Sequence, residues 1–359
     1  MTKMNPIRKS AYINEQYKEY LRFSFHFGDE KIQQLFYEAL DKEVLFKGPY
    51  VAMVLPFKKG AAIDDLIEEG TVSPLFRELK NIDFKRPLYI HQEKSLRHVN
   101  SGRSAVITTG TGSGKTESFL YPILNDILRD IEQGKDHGGI RAVFLYPMNA
   151  LVNDQIDRVR AILKNYDQIT FGCFTGETQE TRAAALRKRK GDGNSESVPH
   201  NEIISRDDIR KNPPHLLFTN HSMLEYLLIR PEDHTIFTEH SLRNWKYIVL
   251  DEAHTYTGVS GIEMAFLLRR VTGLAPRKPR FILTSATLGE KGKSEDEILH
   301  FAHNLTSSEF EKDDIIFADR IVPDGKEGMY SLTDQEYIQL QRQLDKIEGL
   351  RAIANRYIE

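Results

Sequence analysis

The sequence predicts an α/β fold, a doubly wound, mostly parallel sheet with helices on both faces, preceded by a largely helical N-terminal extension. Three observations carry that expectation. From residue 104 onward, short runs rich in Val, Ile and Phe alternate with stretches of helical periodicity. The first run leads through a glycine-rich turn into a helical stretch. The fifth ends in two adjacent carboxylates, and the carboxyl ends of parallel strands are where such sheets gather their ligands.

Strands are predicted at 104–109, 142–147, 170–175, 215–220, 247–251 and 280–285, with helices at 115–129, 150–164, 222–229 and 261–272 between most of them. Upstream, Tyr17, Tyr20 and Leu21, then Ile32, Leu35, Phe36 and Leu40, recur at helical spacing. Pro49, Pro56 and Gly60 break that pattern around an apolar run at 50–55 that fits a short strand. Residues 177–212 form a long charged insertion holding Arg187-Lys188-Arg189-Lys190, expected to be a mobile surface element. After Gly289 a charged linker leads to a helix near 296–305, a candidate strand at 315–317 and a polar helix from about 333. The expected organisation is an extension at 1–86, the α/β lobe at 87–289, and the end of the lobe with a C-terminal helical segment at 290–359.

Composition narrows the function classes. The 49 basic and 52 acidic side chains give a net charge of −3, so any attraction to nucleic acid must be local. A single cysteine, Cys173, excludes an internal disulfide and a multi-cysteine metal site, and reads as a small core residue. No apolar run approaches the roughly 20 residues that span a bilayer, and the first residues lack a secretory pattern; a cytoplasmic protein without a membrane role is expected.

The glycine-rich turn is Thr108-Thr109-Gly110-Thr111-Gly112-Ser113-Gly114-Lys115-Thr116. Glycines after a strand let successive backbone N–H groups curl round an anion, and the helix N-terminus adds its partial positive charge. Thr111, Gly112, Ser113 and Gly114 are expected to hold the phosphates of ATP, Lys115 to reach the β and γ phosphates, and Thr116 to ligate Mg²⁺. The phosphate-loop consensus has glycine where this chain has Thr109.

The acidic strand end is Tyr247-Ile248-Val249-Leu250-Asp251-Glu252-Ala253-His254. Neighbours on a strand face opposite ways, so the two acids are expected to do different work: Asp251 to hold the metal shell and Glu252 to activate the attacking water. Lys115 and Asp251 should meet in one crevice.

Asp-Glu-Ala-His read together with the phosphate loop resembles the DEAD/DEAH-type superfamily-2 helicases, and the family's other motifs follow in order. Tyr89-Ile90-His91-Gln92 resembles the adenine-reading element, with Gln92 as the amide. The run from Tyr146 to Gln155, the turn Thr175-Gly176, and the run from Phe218 to Leu224 resemble the segments that line a groove for one nucleic-acid strand. Thr284-Ser285-Ala286-Thr287 resembles the motif that couples nucleotide state to strand grip. The resemblance implies a RecA-like lobe with Pro147, Asn149, Gln155, Thr175, Gly176, Thr219 and Asn220 on the strand, and His254, Ser285 and Thr287 in coupling. Short polar groups at strand ends suit phosphates without reading bases, although Asn220 and Ser222 would equally cap a helix starting at Met223.

Within that family the chain is similar to large bacterial DNA helicases of the MrfA/YprA kind and to helicases of phage-defence systems, which favours DNA over RNA. The resemblance covers about 87–317. A second RecA-like lobe, with its arginine finger, is expected from the rest of the protein or a partner, since Arg320, Arg342, Arg351 and Arg356 sit in no recognisable finger motif. Such fingers are worth ~10³–10⁵ in rate, so this chain alone should hydrolyse ATP feebly. An RNA helicase lobe, or a non-catalytic ATP-binding switch or assembly module, are the rival readings.

Overall fold

A computed structural model describes residues 6–42, 45, 55–110, 112–135, 138–191, 198–289, 292–321 and 339. The chain divides into two compact units, Met1–Leu55 and Pro56–Glu359. In the first, α1 (Pro6–Ser24) and α2 (Glu30–Lys42) are the expected amphipathic helices. Asp29 starts α2 by accepting from the backbone N–H groups of Lys31 and Ile32 at 2.8 and 3.2 Å. Phe25 and Phe27 pack on Phe36, with ring centroids 6.1 and 5.4 Å away.

The second unit begins with a short antiparallel pair, β1 (Lys59–Ala62) and β2 (Pro87–Tyr89), with α3 (Ile63–Glu68) between them and α4 (Ile90–Asn100) after. The lobe then runs β3 (Ala105–Thr108), α5 (Lys115–Glu132), β4 (Ala142–Tyr146), α6 (Asn149–Ile162), β5 (Phe171–Phe174), α7 (Arg182–Gly191), β6 (Glu202–Ile203) and α8 (Arg206–Lys211). It continues with β7 (Leu216–Asn220), α9 (His221–Ile229), α10 (Glu239–Leu242), β8 (Tyr247–Leu250), α11 (Gly258–Thr272), β9 (Arg280–Ser285), α12 (Glu295–Thr306) and β10 (Ile315–Phe317). The sheet has eight strands in the order β10-β3-β9-β8-β4-β7-β5-β6, and every pairing is parallel.

Alternation along each strand feeds two cores. Ile107, Phe144, Phe218 and Val249 face α4, α5 and α6, while Val106, Leu145, Leu217 and Leu250 face α9, α11 and α12. Both faces are covered, which is why these strands read as near-continuous apolar runs. Trp245 anchors the entry to β8, its indole N–H donating to the Tyr247 carbonyl at 2.8 Å.

The domain boundary expected at 86/87 is corrected. Leu66, Val72 and Phe76 are buried in the same core as α5, and buried Asn125 on α5 accepts from Ser73 N–H at 2.7 Å and donates to the Thr71 carbonyl at 3.2 Å. The segment 56–86 therefore belongs to the lobe. So do α12 and β10, within the 290–359 stretch read as holding the end of the lobe, because β10 pairs with β3 at the sheet edge. The insertion is likewise corrected: α7 is a helix and β6 extends the sheet beside β5, so 182–191 is no loose loop. Most of the strand expected at 50–55, and the helix expected from about 333, lie outside the described residues.

Pro122 sits inside α5, where its missing N–H leaves the Ser118 carbonyl without its helical partner. Ser95 on α4 fills the vacancy, its hydroxyl donating to Ser118 O at 2.5 Å. The two helices are thus latched directly behind the phosphate loop.

Candidate functional site

The carboxyl end of β3 delivers the glycine turn. Gly112 and Gly114 have φ of +74° and +73°, in the region that favours glycine, and space for a Cβ at Gly112 is open. Gly114 is closely approached instead: a Cβ there would lie 2.3 Å from Gln92 Nε2. Thr111 lies outside the described residues. Thr109, standing where glycine is usual, is buried and accepts from the Ser113 hydroxyl at 2.8 Å, while its N–H donates to Ser285 O at 3.0 Å. The departure from the consensus thus adds a brace across the loop. His91 adds another: its Nε2–H donates to Ser113 O at 2.9 Å, and burial pushes its pKa down, which keeps the ring neutral.

Gln92 is buried beside the same loop. Its amide oxygen accepts from Tyr89 N–H at 2.8 Å and its nitrogen donates to Gly114 O at 3.0 Å, leaving one N–H. Thr116 is buried in the first turn of α5.

The acidic pair falls just beyond β8, not on it as expected, because the strand ends at Leu250. Glu252 takes a left-handed conformation, φ +50°, so the turn and not strand alternation separates the two carboxylates. Glu252 Oε1 receives the Lys115 ammonium at 2.6 Å, and Asp251 lies in the same crevice, near enough for the Lys115 charge to act on its carboxyl. Asp251 is buried and accepts from the Thr284 hydroxyl. Burial pushes its pKa up; Thr284 opposes the shift and the Glu252 charge adds to it.

From Glu252 a polar chain runs on. His254 Nδ1 lies 3.3 Å from Glu252 Oε2 and 3.1 Å from Ser285 Oγ, and Ser285 Oγ accepts from Thr287 N–H at 3.1 Å. Thr287 itself is exposed.

The expected strand groove is partly assembled. Pro147, Asn149 and Asn220 line one cavity with His221 and Tyr256. Asn220 donates to Asn149 Oδ1 at 2.6 Å and also caps α9 through Met223 N–H at 2.8 Å. Gly176 is exposed, Gln155 is half-buried on α6, and Thr175 is buried with its oxygen accepting from Glu177 N–H at 3.3 Å. Thr219 departs from expectation: it is fully buried and its hydroxyl donates to Phe174 O at 2.6 Å, so its side chain braces β5 against β7 and offers nothing to a strand. Cys173 packs against the core, and burial pushes its thiol up to about 11.

Residues 89–294 match the DEAD/DEAH box helicase family. The chain belongs to that family. The Druantia protein DruE of Escherichia coli is 28% identical over 387 residues, covering 82% of this chain and 21% of DruE. The uncharacterized ATP-dependent helicase YprA of Bacillus subtilis is 31% identical over 204 residues, covering 56% of this chain and 23% of YprA. Among solved structures, the DUF1998 helicase MrfA bound to DNA superposes with a TM-score of 0.52 at 27% identity, over 74% of this chain and 31% of MrfA. The DEAD-box helicase Mss116 bound to ssRNA reaches the same TM-score, 0.52, at 18% identity, a likeness of fold alone. The chain thus spans about a fifth of the two curated relatives and a third of MrfA.

The structure also brings to the site contacts that sequence reasoning did not assign, among them those of Thr284, named there only as part of its motif. Thr284 holds Asp251 and accepts from Glu252 N–H at 3.3 Å; the parallel register Leu250↔Leu283 puts it beside the acids, a signal readable once β8 and β9 are known neighbours. Phe57 and Arg320 form an antiparallel bridge, with the guanidinium 4.4 Å from the ring, and Phe57 stands 5.2 Å from Tyr89 and 5.5 Å from His91. Arg320 Nη2 lies 3.7 Å from where a Cβ on Gly110 would stand, so this cluster edges the phosphate loop. Nothing local in the sequence joins 57 to 320. No helix among the described residues is long and apolar enough to cross a membrane.

Proposed function

We propose that this lobe binds and hydrolyses ATP and, with a second lobe supplied by the rest of the protein or by a partner, drives a DNA helicase or translocase in the cytoplasm. The observation that carries the reading is the Lys115–Glu252 contact at 2.6 Å, which joins the phosphate loop to the acidic turn across the sheet. A cation and a carboxylate so placed exchange partners when a triphosphate enters. Lys115 turns to the β and γ phosphates, and Glu252 is released to orient water and take its proton.

The donor set fits Mg²⁺. Asp251 supplies one buried carboxylate and Thr116 one hydroxyl, and no group of three or more His, Cys, Asp or Glu able to hold a metal exists among the described residues. That suits an ion completed by phosphate oxygens and water. Bound there, Mg²⁺ would neutralise charge on the phosphates. Gln92 and the Phe57–Arg320 cluster would border the purine, with Thr111 completing the loop. His254, Ser285 and Thr287 would carry nucleotide state from Glu252 toward the strand. Asn149, Pro147, Asn220, Gln155, Thr175 and Gly176 would hold one strand by polar and backbone groups, Thr219 acting from behind.

DNA is favoured over RNA by the likeness to DNA-bound MrfA. The test measures binding of a fluorescent ATP analogue and ATP turnover, with single-stranded DNA or RNA of one sequence, for this chain alone and for the longer protein. Lys115→Ala should weaken nucleotide binding at least ~10-fold, the loss of about 1.4 kcal/mol. Unchanged binding sinks the site, stimulation by RNA alone sinks the substrate, and absent turnover in the longer protein favours a switch.

A further inference from the structure

Resting on the strand-binding reading above, we infer that α7 is a cationic rail extending the strand path beyond the Thr175-Gly176 turn, gripping the phosphate backbone of single-stranded DNA through Arg187, Lys188 and Lys190. The groove residues themselves explain why one is needed. Pro147, Asn149, Gln155, Thr175, Gly176 and Asn220 are all neutral, Glu177 beside them is acidic, and the chain carries a net charge of −3. Polar groups and backbone N–H position a strand, but long-range attraction to it comes from cations.

The nearby arginines are engaged elsewhere. Arg206 donates to Thr175 O at 3.0 Å and approaches Glu180, Arg210 is paired with Asp233 at 2.7 Å, and Arg160 and Arg189 share the buried Glu202 at 2.7 and 3.2 Å. Helix α7 contains five basic residues and no acidic one, and of these Arg182 faces Asp208 at 3.8 Å. Arg187, Lys188 and Lys190 remain exposed, with no ion-pair partner among the described residues.

Their position is fixed, which a loose charged loop would not provide. Ala185 is buried and the Arg189–Glu202 pair pins the helix inward. Lys188 Nζ donates to Glu177 O at 3.3 Å, so the rail touches the turn it would extend. That turn is rigid in its own right: Thr175 N–H donates to Thr178 Oγ1 at 2.9 Å, and Thr178 Oγ1 donates to Cys173 O at 2.9 Å. A helix already formed and seated spares the backbone ordering cost when a strand docks, so only side-chain rotamer freedom is given up.

The experiment titrates a fluorescein-labelled 20-nucleotide oligothymidylate by anisotropy, across a range of KCl concentrations, with this chain and two variants. Arg187→Ala/Lys188→Ala/Lys190→Ala should lose about 10-fold or more in affinity near ~0.1 M salt, and the slope of log affinity against log salt should shrink by about 2, at ~0.7 per lost phosphate contact. The charge-preserving Arg187→Lys/Lys188→Arg/Lys190→Arg should keep both. Alanine is the best helix former, so melting and fluorescent-nucleotide affinity should stay at the wild-type values. An alanine variant with unchanged affinity and slope overturns the rail and leaves the groove standing. A wild-type chain that binds nucleotide but no oligonucleotide overturns the strand-binding reading itself, and the rail with it.

Discussion

Lys115 stands between two claims on its charge, the Glu252 carboxylate that now holds it and the phosphates its loop is shaped to receive. Glu252→Gln weakens the first claim without touching the second. Nucleotide affinity should then hold or rise, while turnover by the longer protein falls by ~10²–10⁴ because the proton acceptor is gone. Comparing analogue binding with steady-state ATPase separates the two effects. Asp251 makes the opposite kind of case. Its pKa is raised by burial in the folded state, so folding favours its protonated form and stability declines as pH rises from the ordinary carboxylate range through the raised value. Asp251→Asn should flatten that decline and raise the melting temperature at pH 7 by about 1–3 °C without nucleotide. The same variant should lose the extra stabilisation that Mg²⁺ with ATP gives the wild type, read in the same melts. A variant that melts lower at pH 7 would contradict this account of the site.

Helix α5 combines two local exceptions that the fold resolves. Its first turn follows Gly114, whose left-handed backbone and crowding by Gln92 leave no room for a side chain. Gly114→Ala should cost on the order of 1–3 kcal/mol in chemical denaturation and also weaken nucleotide binding, because the loop and the helix start share that residue. One turn further on, Pro122 frees the Ser118 carbonyl for Ser95. Ser95→Ala leaves a buried carbonyl unsatisfied and should cost about 1–3 kcal/mol, visible as a lower denaturation midpoint with an unchanged slope. Restoring the helical partner by Pro122→Ala should recover part of that loss. If Ser95→Ala is as stable as the wild type, the latch contributes nothing.

Across the whole molecule, the sheet order explains why chemistry scattered along the chain converges. β3 carries the loop, β8 the acids and β9, seated between them, Thr284 and Ser285, all at carboxyl ends of parallel neighbours. Supplying the longer protein, with any second lobe it holds, should raise ATP turnover by ~10³ or more over this chain alone, since an arginine finger has that effect in phosphoryl transfer. A comparable rate from the isolated lobe would mean that its own residues complete the site.

The strands from β3 to β9 that face two cores were legible because burial on both faces forces continuous apolar runs, and the loop and acids were legible because anion binding demands glycine, lysine and carboxylate in one local context. Short edge strand β6, and the docking of 56–86 on α5, were not, since each depends on partners distant in sequence. Residue types and local spacing determined what chemistry this chain can hold. Which carboxylate meets Lys115, that Thr219 turns inward, and that Arg320 reaches Phe57 and the edge of the loop were settled only by the packing of strands in space. Turn conformation and strand register place a side chain, and neither is written in the identity of the residue alone.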